Sequence, residues 1–168
     1  MYVSFIFAAI FIGYSIGSAP IIGYHYGAGN HTELKGLFRK SLFLITLWNV
    51  ILTALAILTA QPLAKIFVGY DIGLTGLTTR ALALYSLSFL FMGHNIFGSA
   101  FFTALGNGVV SAAISFLRTL LFQVAAVLIL PRLLGIDGIW LAIVVAELLA
   151  LVITIYFFIK KKDNYHYL

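Results

Sequence analysis

The chain predicts an all-α fold, a polytopic membrane bundle of about five transmembrane helices, and three observations carry that prediction. Of its 168 residues 62% are hydrophobic and 9% are charged, against roughly a quarter charged in soluble domains. Mean hydropathy is +1.09, so a soluble domain of this composition would have too little polar surface to present to water. The apolar residues fall into runs of about 20, the length that a hydrocarbon core of about 30 Å requires. Cysteine is absent, which excludes disulfides and thiolate metal sites. The net charge of +5 does not point to nucleic acid, because the basic residues gather at the ends of spans. No nucleophile elbow, phosphate loop or catalytic carboxylate pair is present, so the chain does not read as an enzyme, and no cofactor is implied.

The whole of 1–168 reads as a single transmembrane domain. The first span runs from Tyr2 to Ile22. No Lys or Arg precedes Lys35, so it lacks the basic start of a signal peptide. It opens abruptly at Met1, as a piece of a longer protein would. The span leads into Ser18 to Asn30, where Pro20 removes a backbone donor and kinks or stops the helix. Gly23, Gly27 and Gly29 there let the chain turn and let neighbouring helices approach. Asn30 with Glu33 three residues on reads as a helix cap. Leu34, Leu37, Phe38 and Leu42 then form an apolar stripe beside Lys35, Arg39 and Lys40. This pattern predicts a short helix over about 31–40, lying in the cytoplasmic interface against anionic lipid headgroups; a solvated linker is the alternative.

The second span is Ser41 to Leu58, and the Gly- and Pro-bearing stretch Gln61 to Thr78 reads as an external connector. The third, Thr79 to Leu105, exceeds what the hydrocarbon core requires and should tilt or bend, with Gly93 and Gly98 as the expected places. Val109 to Leu130 and Gly138 to Ile159 complete the set. Five crossings put Lys35, Arg39, Lys40, Lys160, Lys161 and Lys162 on one side, and Lys65, Arg80 and Arg132 on the other. The positive-inside rule then places the C-terminus in the cytoplasm and the N-terminus outside a cell (inner) membrane.

Ionisable residues inside a span are functional candidates, because insertion costs about 3 kcal/mol. Arg118 lies ten residues beyond Gly108, and Glu147 ten beyond Asp137. At 1.5 Å per residue each is about 15 Å in from its own face. The two spans are antiparallel neighbours, so Arg118 and Glu147 reach the same depth and are expected to pair. Ser111, Ser115, Arg118 and Phe122 share one stripe, and Trp140, Val144, Glu147 and Thr154 share another. Two roles fit the pair: a static bond that fixes helix register, or a coupling site at which Glu147 takes up and releases a proton.

On the third span Tyr85, Ser88, Met92, Asn95, Ser99 and Phe102 recur at three and four residues. Such a face must look toward protein or a wet cavity, as polar glue between helices or as a substrate-cavity wall. His25, His31, His94 and His166 are too scattered for a metal site, and His94 reads as a packing residue.

The order Pro20-x-x-Gly23-x-x-x-Gly27-Ala28-Gly29-Asn30, followed by a short basic amphipathic stretch, resembles the signature of multidrug and toxic compound extrusion (MATE) transporters. Further matches are Gly93 to Ile96 with Phe101 to Gly106, then Arg118, Leu130 and Pro131, Gly135 to Trp140, and Glu147. They follow the order of helices eight to twelve of that family, so the chain resembles most of its second lobe without the lobe's first helix. The resemblance implies part of an antiporter coupled to protons or sodium that exports cationic, amphipathic drugs and other xenobiotics by alternating access. Pro20, Gly23, Gly27 and Gly29 would form a cytoplasmic gate, and the partners would be membrane lipid, the cationic substrates, and the missing N-terminal lobe or a second chain. Some members carry a cation-binding acid in the helix matching the third span. This chain has none between Asp71 and Asp137, which argues against a sodium site in this lobe. A related lipid or polysaccharide flippase is one alternative, and an inactive fragment acting only with a partner lobe is another.

Overall fold

The structure is a computed structural model that describes residues 2–168; Met1, where the sequence opens, lies outside them. The described residues form helices α1 (Tyr2–Gly27), α2 (His31–Val68), α3 (Ile72–Ser86), α4 (Phe89–Ala104), α5 (Gly108–Phe116), α6 (Gln123–Leu134) and α7 (Ile136–Tyr165). A π-helical turn, Leu117–Phe122, joins α5 to α6 without interrupting the rod. Four helical rods are long and apolar enough to cross a membrane: Ser4–Gly27, His31–Val68, Gly108–Leu134 and Ile136–Tyr165. The pair α3 and α4, bent by 42°, is together long and apolar enough to make a fifth. The outward surface is apolar, with Phe5, Leu58, Ile66 and Val109 largely exposed. Outward hydrocarbon of this kind suits lipid and would be unstable in water.

Helix α4 is the axis of the bundle, packed by α1, α2, α5 and α7. Its Phe89, Phe97, Phe101 and Phe102 are all buried. Near its C-terminal end, Phe38 of α2 stands 4.9 Å ring to ring from Phe101, 5.0 Å from Phe158 of α7 and 4.9 Å from Tyr167. The chain reaches Tyr167 by leaving α7 through a left-handed His166, at φ 54°. The Tyr167 hydroxyl donates to Phe158 O at 2.9 Å. Burial raises the pKa of that hydroxyl, which keeps it protonated as the donor.

Several expectations are corrected here. The segment about 31–40 is not a separate interfacial helix but the first turns of α2, which Asn30 caps by accepting from Glu33 N–H at 3.2 Å. Leu34 and Phe38 point into the core, so the apolar stripe meets protein rather than lipid. The expected connector Gln61 to Thr78 is largely helical: α2 runs through Pro62 to Val68, and α3 starts at Ile72 under an Asp71 cap. Pro20 likewise sits inside α1, which continues two turns past it and ends where Gly29 takes φ +67°.

The bend of the third span falls at Leu87 and Ser88, not at Gly93 or Gly98. Leu87 N–H bonds to Leu84 O and Ser88 N–H to Tyr85 O, tight three-residue steps that break the α-helical ladder. The two glycines serve close approach instead. A Cβ on Gly93 would stand 2.6 Å from Phe11 Cε1, and one on Gly98 would collide with Thr154 Cγ2.

Helices α6 and α7 meet at the closest backbone contact described. Gly135 turns the chain at φ +62°, open to glycine at little strain. A Cβ on Gly138 would then collide with the backbone of Leu130 and lie 2.8 Å from Pro131 N. Backbone atoms cannot rotate aside as a side chain can. Gly138→Ala is therefore expected to destabilise the bundle by about 1–3 kcal/mol, read as a lower midpoint of thermal unfolding in detergent; an unchanged midpoint would refute this packing.

Candidate polar core at membrane depth

Three helical elements converge on one buried network. Arg118, on the π turn, donates from Nε to Glu147 Oε1 and Oε2 at 2.9 and 3.0 Å, and its Nη2 lies 2.7 Å from Oε1. The side chains are only 18% and 7% exposed. Asn95 of α4 donates from Nδ2 to Glu147 Oε2 at 2.8 Å and to Glu147 backbone O at 2.9 Å. Thr154, two turns along α7, donates to Asn95 Oδ1 at 3.0 Å. Each hydrogen bond that the Glu147 carboxylate makes is one it accepts, from a guanidinium and an amide. Both charges are thus compensated at a depth where water cannot help them.

The π turn positions the cation. Thr119 Oγ1 donates to Ser115 O at 2.7 Å, competing for the carbonyl that a regular α-helix would give to the Thr119 N–H. The wider turn also keeps a polar row in line. Ser111, Ser115, Thr119 and Gln123 recur every four residues, a spacing that drifts around an α-helix of 3.6 residues per turn unless a wider turn takes up the excess. Beside this row Ser99 Oγ is 2.9 Å from Ser111 Oγ and 2.8 Å from Ser115 Oγ, and Thr103 donates to Ser111 Oγ at 2.7 Å. Thr103, Ser115, Thr119 and Gln123 are exposed. Thr103, Thr119 and Gln123 escaped the sequence reading, although the four-residue spacing was a signal for the last two.

Among the residues expected on a cavity wall, Ser88, Met92, Asn95 and Phe102 are buried inside the bundle, because α4 is surrounded by helices rather than open on one side. Tyr85 and Ser99 are half-buried. Tyr85 borders a cavity between α3, α6 and α7, and Ser99 joins the hydroxyl row. At the expected gate, Gly23 packs on the end of α4, where a Cβ would be 3.3 Å from Ala104 O, while Gly27 and Gly29 face open space.

His94 lies 3.0 Å from Thr46 Oγ1 through Nε2 and 2.8 Å from Asn49 Nδ2 through Nδ1. Thr46 and Asn49 are on α2, so His94 joins that helix to α4. Rings of His31 and His166 meet at 4.9 Å, far along the chain from His94. Among the described residues no three His, Cys, Asp or Glu are placed to hold a metal ion.

The two charge sets lie at opposite ends of the bundle. Arg80 pairs with Asp137 at one end, and Lys65 and Arg80 line the same cleft. At the other end Asn107 Nδ2 donates to Tyr165 OH at 2.9 Å, and Tyr26 lies 5.5 Å from Tyr165.

Removing one member of a buried pair leaves the other charge stranded, at roughly 3–5 kcal/mol. Arg118→Met and Glu147→Leu should each lower thermal stability by about that much, and the double variant should recover most of the loss. Additive losses in the double variant would mean that the two do not act as a pair.

Two comparisons place this geometry. The MatE family model matches residues 1–129. Among solved structures the chain is similar to the Vibrio cholerae MATE transporter VcmN in its bent form, with a TM-score of 0.86 and 19% identity. That match covers 98% of this chain and 38% of the other, so the chain spans well under half the length of that transporter. At this identity the likeness shows the fold. No curated protein sequence matches the chain.

Proposed function

Because the chain belongs to the MatE family, we propose that it forms most of one lobe of a membrane transporter, whose complete form exports cationic, amphipathic compounds in exchange for protons or sodium. Transport would proceed by alternating access, this lobe rocking against a second one. The observation that carries the reading is the open polar row from Ser111 to Gln123, with Ser99 and Thr103 beside it, on a rod whose neighbouring exposed residues, among them Phe116, Leu120 and Val124, are apolar. Such a row is unfavourable against hydrocarbon, so it faces water or another transport element. The second lobe, or a second chain, supplies the opposite wall of the substrate path.

In this reading Arg118 and Glu147 fix the register of α4, the π turn and α7, and the main coupling acid lies on the other lobe. Pairing with Glu147 also neutralises Arg118, which leaves little to attract an anionic headgroup at that depth and favours drug export over a lipid flippase. The protein sits in the cell membrane with its N-terminus outside and its C-terminus in the cytoplasm. Lys35, Arg39, Lys40 and Lys160 to Lys162 then meet anionic lipid on the inner side.

Ethidium efflux from re-energised cells tests this. The chain alone should give none, and co-expression with a seven-helix N-terminal piece of a MATE relative, which carries the helix this lobe lacks, should restore efflux that collapses with the ion gradient. Efflux from neither, with the chain stably inserted, would leave a folded lobe without activity. In the active pair Glu147→Gln should retain most efflux while lowering stability. Loss of efflux with stability intact would instead make Glu147 the proton carrier.

A further inference from the structure

The end of the bundle that holds the Arg80–Asp137 pair carries an open groove with cations on its lining. It lies between the end of α2 and α3 and has a volume of about 730 Å³. Much of the lining is apolar or small, with Gly69, Ile72, Gly76 and Ala83. Thr75 and Thr79 line it too, but their hydroxyl protons are spent on backbone carbonyls: Thr75 donates to Val68 O at 2.9 Å and Asp71 O at 2.7 Å, and Thr79 to Thr75 O at 2.8 Å. The donors left for a ligand are two cations and an amide. Lys65 and Gln61, one turn apart on α2, bond to no described residue. Arg80 commits only Nη2, to Asp137, and its side chain is 66% exposed. No acid is among the described residues of the lining. The two acids nearby are occupied, Asp137 by Arg80 and Asp71 by the Leu74 N–H that it caps at 3.0 Å.

Depth in the membrane fits a phosphate. Lys65 lies in the last turn of α2, and Asp137, the partner of Arg80, in the first turn of α7. Both cations therefore stand where the spans leave the hydrocarbon and the headgroup layer begins. Around the α2–α3 turn Ile66, Phe67, Tyr70 and Ile72 are largely exposed, a mixture of aliphatic and aromatic surface that suits the membrane interface.

We propose that this groove binds one anionic phospholipid, its phosphate held by Lys65 and Arg80 and an acyl chain lying along Gly76 and Ala83. Arg80 can offer Nε and Nη1 to phosphate oxygens while Nη2 stays with Asp137, and Lys65 adds a point charge. Gly76 leaves the room, since a Cβ there would meet no atom within 4 Å. A zwitterionic headgroup brings its own cation into a groove that has no free acid to receive it, so charge favours a lipid of net negative charge. The site stands or falls independently of the transporter reading.

The chain has no cysteine, so Ile72→Cys, at a lining position 92% exposed, takes a single bimane label in the purified full chain in detergent. Dioctanoyl phosphatidylglycerol should change the emission saturably, at about one fifth of the concentration needed for dioctanoyl phosphatidylcholine, which has the same tails. Inorganic phosphate should change nothing. Lys65→Gln should weaken the response to phosphatidylglycerol about fivefold, and Lys65→Arg should restore it. Replacing Lys160, Lys161 and Lys162 together by Gln, at the far end of α7, should leave the curve unmoved. Gly76→Leu, which fills the groove, should abolish saturation. Lys65 has no partner to lose, so Lys65→Gln carries the test even if Gly76→Leu fails to fold. Equal curves for the two lipids, or a phosphatidylglycerol curve that Lys65→Gln does not move, would overturn the proposal. Saturation by inorganic phosphate at the same concentration would overturn it in favour of a free-anion site.

Discussion

A charge pair buried between helices long and apolar enough to cross a membrane is the constraint on which the rest of this bundle depends. Arg118 and Glu147 are tolerable only while every donor and acceptor around them is met, and that requires α4, the π turn and α7 in one fixed register. Asn95 closes the network by reaching both the carboxylate and the backbone of α7. The glycines act in the same sense. Gly98 brings α4 against Thr154, a member of the network, and Gly138 brings α7 against α6. Close packing and charge compensation are therefore one requirement, since a shift of either helix would open the polar core to lipid.

The two halves of the lobe are built differently. Toward the Tyr165 end, Phe38, Phe101, Phe102, Phe158 and Tyr167 interlock, with the chain folded back to insert the last ring. Toward the Arg80 end the helices splay around two cavities, and the ion pair that spans them is largely exposed. Exposed pairs contribute little stability, so that end is held by the α6–α7 turn together with the packing of α3 on α2 and α7. The Tyr165 end is thus closely packed and the Arg80 end is open.

Much of this was legible in the sequence, for reasons that can be named. Hydrophobic runs located the four spanning rods and the bent α3–α4 pair because the bilayer sets their length. Counting residues inward from Gly108 and Asp137 put Arg118 and Glu147 at one depth, since helical rise is constant. Errors arose where one residue type serves two purposes. Pro62 and the nearby glycines read as a loop, yet Pro62 is carried inside α2. Gly93 and Gly98 read as a bend, yet they are contact points, and Leu87 and Ser88, with no special composition, carry the bend. The buried side of α4 was not legible either. A polar stripe identifies a face that avoids lipid, but only the neighbouring helices decide whether that face meets protein or water.

The π turn has a consequence for how such a span could arise and vary. It accommodates one more residue than the α-helix it interrupts, and it carries Arg118, the cation of the buried pair. Deleting a single residue within Leu117–Phe122 would let the turn close to a regular α-helix, a rod still long enough to cross the membrane, with the faces of α6 left almost where they are relative to α5. A deletion elsewhere in the rod, with no wider turn to absorb it, would rotate everything beyond it by about 100° and carry Gln123 out of line with Ser111 and Ser115. Among the described residues this turn is thus the place in the rod where a residue can be gained or lost while the two halves of the polar face stay joined.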